Sequence, residues 1–166
     1  MPHTITGGEV CMPGQRLREY LDSNNIRYTN IMHTPAYTAQ GVAHSAHLSG
    51  KGIAKTVIVR REGEMVMVVL PANQKVNLEQ FRLFLHASEV ELASEEEFQN
   101  AFPDCEPGAM PPFGNLYDMK VYVSEELKSE EIAFNAGTHT ELIQMKYRDF
   151  ERLVQPQVVS FAGEEE

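Results

Sequence analysis

The hydrophobic pattern changes period several times along the chain. In RLREYLDSNN (Arg16 to Asn25), Leu17, Tyr20 and Leu21 recur at helical spacing, which predicts an amphipathic helix. RYTNIMH (Arg27 to His33) predicts a short strand. Thr34-Pro35 stops it, because the residue before a proline is driven to extended geometry. AYTAQGVAHSAHL (Ala36 to Leu48) predicts a helix with Thr38 as its N-cap. Two nearly unbroken apolar runs follow, IAKTVIVR and MVMVVLP, joined by the turn signal REGE (Arg61 to Glu64). Runs of this kind belong to a hairpin at a sheet centre, covered on both faces. NLEQFRLFLH (Asn77 to His86) predicts a helix capped by Asn77, with Leu78, Phe81 and Leu85 on one face. SEEEFQNAF (Ser94 to Phe102) opens with the capping-box pattern Ser94…Glu97. MKVYVS, EIAFNAG and TELIQMK predict three late strands, and YRDFERLV (Tyr147 to Val154) a closing helix.

Helices and strands mix here without strict βαβ alternation. That predicts an α+β fold: a mixed, partly barrel-like β-sheet flanked by helices. With 166 residues, a single domain over 1–166 is expected, its core spanning about 14–156. The Gly- and Pro-containing start is expected to be loosely held, and GEEE (Gly163 to Glu166) a solvated acidic tail. Hydrophobic residues at 42% and charged residues at 23% are ordinary for a globular chain and argue against wholesale disorder.

Charge narrows the function classes. Fourteen lysines and arginines face 24 carboxylates, for a formal net charge of −10. A broad grip on nucleic-acid phosphates is thereby disfavoured, so any such contact must be a local patch. Lys51, Lys55, Arg60, Arg61 and Lys75 are the candidates. The chain has no apolar run long enough for a membrane span, and its start lacks the basic and apolar regions of a secretory leader. The two cysteines, Cys11 and Cys105, suggest no disulfide framework. A cytoplasmic protein is the expectation.

Three segments could carry chemistry. Lys55 interrupts an apolar strand, and burying an unpaired ammonium costs several kcal/mol as an order of magnitude. It is either a charge at a strand entrance or a cation facing a wet cleft, where it would hold phosphate or carbonyl oxygens. Pro107-Gly108-Ala109-Met110-Pro111-Pro112-Phe113-Gly114 is a stiff bend. Its amides at Ala109, Met110, Phe113 and Gly114 either close a plain turn or converge on an anion. His139 follows Gly137 and is either structural or a proton carrier. His44 and His47 form HxxH, with His33 upstream, yet neither HExxH nor CxxC is present, so no metal site is assigned. Asp104 and Glu106 flank Cys105 and would raise its pKa, which argues against a nucleophile. Serine-hydrolase, Walker and Rossmann motifs are absent from the sequence.

The order of these segments is specific. TPAYT (Thr34 to Thr38), IAKTVIV, LPANQKVNLEQF, EPGAMPPFG and AGTHTELI follow one another over roughly Leu17 to Leu153. This series resembles the YbaK family, the prolyl-tRNA-synthetase-associated domains. The resemblance implies a free-standing aminoacyl-tRNA deacylase that hydrolyses the ester of tRNA mischarged with a small amino acid (Ala, Ser, Thr or Cys). It implies Lys55, Gly108 and His139 as catalytic residues. Around them it implies a substrate pocket of Thr34, Pro35, Thr38, Thr56, Ala109, Met110, Pro111, Pro112, Phe113, Gly114 and Gly137. No cofactor or metal is implied. The implied partners are the mischarged tRNA 3′ end and a synthetase or elongation factor. The rival reading is a non-catalytic module that binds a nucleotide or a tRNA end beside a synthetase.

Overall fold

The computed structural model describes residues 15–32, 53–72, 74–103, 105–106, 109–127, 130–138, 140–159 and 162–165. The helix predicted over Ala36 to Leu48, together with His33, His44, His47, Lys51 and Cys11, lies outside them.

A five-stranded sheet forms the centre. Its strands are β2 (Ala54–Arg61), β3 (Glu64–Pro71), β5 (Val90–Leu92), β6 (Val121–Ser124) and β9 (Gln157–Val159), in the order β5-β2-β3-β6-β9. The β2–β3 hairpin turns at Glu62-Gly63, both at positive φ (50° and 88°), as the right-handed strand twist favours. β3 pairs with β6 in parallel, as β6 does with β9, so the sheet is mixed. A second sheet has the order β1-β8-β7, all antiparallel: β1 (Tyr28–Met32), β7 (Glu131–Asn135) and β8 (Glu141–Lys146). β4 (Gln74–Val76) pairs with β10 (Ala162–Glu165). Gly163, Glu164 and Glu165 of the segment expected as an acidic tail lie in this strand.

Apolar alternation explains why the central sheet is covered twice. Ile58, Met67, Val69, Val121 and Val123 share one core with Leu17 and Leu21 of α1 (Gln15–Ser23), Phe134, Ile143 and Phe150. Val59, Val66, Val68, Leu70 and Tyr122 form the other core with Phe81. Phe81 sits on α2 (Leu78–Leu85), its ring edge-on to Tyr122 at 5.2 Å. Burying such a ring contributes about 1.5–3 kcal/mol. The Asn77 side chain caps α2 by accepting from the Gln80 amide at 3.0 Å. The expected capping box opens α3 (Glu95–Gln99). The last helix, α4 (Tyr147–Val154), buries Tyr147 and Phe150.

Candidate functional site

The site is built where β2 forks away from its neighbours. On one edge β2 pairs with β3 throughout. On the other, Val59 to Arg61 pair with β5, while Ile53, just before β2, bridges Ala133 of β7 in parallel. Between these contacts, among the described residues, Ala54 to Val57 have no strand partner on that edge. Bridged residues share a face, and side chains alternate with period two. Two steps beyond the bridge along each strand stand Lys55 and Asn135, on that same face. Lys55 is half-buried and lies opposite Leu70. The Asn135 Oδ1 is buried and has no hydrogen-bond donor.

β7 leads from Asn135 directly into a clasp. Gly137 accepts a hydrogen bond from the Glu106 amide at 2.8 Å and donates to the Ala109 carbonyl at 3.0 Å. It does so at φ 97°, a backbone region that side-chain-bearing residues avoid. The turn is closed by the Ala136 amide on the Glu141 carbonyl at 3.1 Å, and an Arg18–Glu141 ion pair at 3.0 Å ties it to α1. The stiff bend before β6 is therefore fastened to the end of β7, and β7 is bridged to the start of β2.

Several expected roles change. The Ala109 amide donates to the Glu106 carbonyl at 3.0 Å, so it is spent in a turn and does not await an oxyanion. The Phe113 side chain is fully buried among Tyr20, Phe134 and Phe150, so it packs in the core. A Cβ on Gly114 would meet Val121 Cγ2 at 2.6 Å and the Met119 carbonyl oxygen at 2.7 Å, so packing dictates this glycine. Met110, Pro111 and Pro112 are buried in the same bend. Thr56 alternates away from Lys55, towards Ala54 and Ile58. Cys105 Sγ lies 3.5 Å from the Tyr117 hydroxyl. Gly108, His139, Thr34, Pro35 and Thr38 lie outside the described residues.

One member of the expected basic patch is engaged elsewhere. Arg60 alternates to the face opposite Lys55 and is ion-paired with Glu91, at 2.7 Å, and with Glu97. No cluster of three or more metal-ligating side chains occurs among the described residues, and no helix among them is long and apolar enough to cross a membrane. Asn135 escaped the sequence reading. A polar residue ending an apolar strand looks like a terminator, and nothing local marks its amide oxygen as buried.

Known proteins bear on this geometry. A family model described as the aminoacyl-tRNA editing domain matches residues 33–153. Over 154 residues the chain is 28% identical to the multifunctional Ser/Thr-tRNA deacylase ProXp-y of Escherichia coli (strain K12), covering 89% of this chain and 91% of that protein. It is 26% identical over 141 residues to the prolyl-tRNA editing protein ProX of Acetoanaerobium sticklandii, covering 81% and 85%. A crystal structure assigned as a trans-editing enzyme for prolyl tRNA synthetase superposes with a TM-score of 0.77 at 16% identity, covering 97% of this chain and all of that one. That last likeness bears on the fold. With the family model spanning most of the sequence, as the motif order implied, the chain belongs to the aminoacyl-tRNA editing domain family.

Proposed function

We propose that the protein is a free-standing deacylase that hydrolyses the ester between a small amino acid (alanine, serine, threonine or cysteine) and the 3′-terminal ribose of a mischarged tRNA. One observation carries this reading: the Ile53–Ala133 bridge and the Gly137 clasp join the Lys55 strand to the 109–114 bend, inside a chain of the editing family. The homologue named as a Ser/Thr-tRNA deacylase supports serine and threonine within that range.

In this reading Lys55 holds the 3′ phosphate or the ester carbonyl, bringing the ester into place. Asn135 Oδ1 accepts from the substrate's α-ammonium. Water adds to the carbonyl carbon, and amides of the Gly108 bend other than Ala109 receive the oxyanion. A good donor there contributes about 3–4 kcal/mol. The ester C–O bond then breaks, the ribose oxygen takes a proton, and the free amino acid leaves. His139, two positions after Gly137, is the proton carrier. Thr34, Pro35 and Thr38 are assigned to amino-acid binding on the family resemblance alone.

The test is a deacylation screen with the four small amino acids on several tRNAs, run beside Lys55→Ala. The parent is expected to release at least one amino acid, and the variant none above background, with an unchanged circular dichroism spectrum. Hydrolysis by Lys55→Ala at the parent rate would remove Lys55 from the mechanism. No release by the parent from any tRNA would remove the activity.

A further inference from the structure

Away from the fork, four cations line one cleft. Arg27, Lys146, Arg148 and Arg152 surround a cavity of about 330 Å³, with Asn25, Ile26 and Asp149 completing it. In a chain of net charge −10 such a concentration has to be explained. Arg18, Arg60 and Arg82 each face a carboxylate. Within the cleft Asp149 is the one carboxylate, and it faces Arg152 at 3.6 Å. Arg27, Lys146 and Arg148 are exposed and have no ion-pair partner among the described residues.

We propose that this cleft docks the phosphate backbone of the substrate RNA, at a distance from the ester. The proposal rests on the deacylase reading for what lies at the other end of the molecule. β8 supplies the ruler. It starts at Glu141, beside the Gly137 clasp, and ends at Lys146, in the cleft. Five strand steps of about 3.3 Å make about 17 Å. That is about five nucleotides of a stacked strand at about 3.4 Å each. An ester held at the fork therefore brings phosphates about five nucleotides back from the 3′ end to the cleft. Arginine forks and a lysine point charge suit phosphate oxygens and read no base. The contact fixes register and adds affinity for any tRNA, leaving selection among amino acids to the fork. It also resolves the charge problem, since a local cluster grips RNA without a basic chain.

The double variant Arg27→Glu/Arg148→Glu tests this, with Arg148→Gln as a milder second variant. Binding of uncharged tRNA is followed by fluorescence anisotropy between about 50 and 200 mM salt. The double variant is expected to bind at least about tenfold more weakly, with a salt slope smaller by about 2. Deacylation kcat/KM falls equally on aminoacyl-tRNA and stays at the parent value on an aminoacyl-adenosine. Unchanged tRNA binding by both variants overturns the proposal and leaves the cleft to another partner. An equal loss on tRNA and on aminoacyl-adenosine also overturns it. If the parent binds tRNA through the cleft but deacylates nothing, docking stands and the deacylase reading falls.

Discussion

Lys55 and Asn135 stand at equivalent steps past the Ile53–Ala133 bridge, on one face of the fork between β2 and β7. On the same face as the half-buried Lys55, the fold keeps a buried amide oxygen with no hydrogen-bond donor. An unsatisfied buried acceptor costs about 1–3 kcal/mol. A bound ligand that supplies the missing donor would recover that cost, and the α-ammonium of an aminoacyl ester is a donor of the right charge.

Asn135→Leu separates the two sides of that trade. The side chain keeps nearly its size and loses the orphaned oxygen, so the melting temperature is expected to hold or rise. A hydrogen bond to a charged group contributes about 1.5–3 kcal/mol, so kcat/KM for deacylation should drop about ten- to a hundredfold. Parent-level activity with an altered melting temperature would make Asn135 a packing residue.

Local features were legible in the sequence and distant ones were not. The Asn77 cap, the Ser94–Glu97 capping box and the Glu62-Gly63 turn are each written within four residues of chain, and all three occur. The doubly covered hairpin followed from the apolar runs of β2 and β3. The Ile53–Ala133 bridge joins segments far apart in sequence, so nothing near Lys55 announces Asn135. Arg60 shows the same limit from the other side. Its neighbours made it look like part of a basic patch, while alternation and the glutamates of β5 and α3 took it away.

Gly114→Ala tests whether the bend is held by packing. The added methyl would sit 2.7 Å from the Met119 carbonyl oxygen, which is backbone and cannot swing aside. Gly114 also accepts the Tyr117 and Met119 amides at 2.9 Å, so any shift breaks both bonds. A loss of about 2–4 kcal/mol is expected in urea unfolding. A loss below about 0.5 kcal/mol, the range of ordinary surface changes, would show that the bend yields freely.

Gly137→Ala probes the clasp instead. At φ 97° an alanine costs about 1–2 kcal/mol in backbone strain. Relief by rotation would break the bonds to Glu106 and Ala109 that fasten the bend to β7. Deacylation kcat/KM is expected to fall more than tenfold while the protein stays folded at 25 °C. Equal activity would mean that the clasp does not hold the reactive geometry.

Tyr147 gives a pH signature independent of substrate. Its hydroxyl is buried with no partner, and burial first, then the nearby Glu151 carboxylate, push its pKa up to about 12. The unfolded chain titrates near 10. Here the folded state holds the proton more tightly, so its contribution to stability is complete below about pH 10 and drains away as pH rises towards about 12. Tyr147→Phe removes both the orphaned hydroxyl and this titration. Its melting temperature should match or exceed the parent's at pH 7 and fall less steeply between about pH 10 and 12. The comparison with the parent cancels the other tyrosines, so identical alkaline slopes for the two proteins would disprove the assignment.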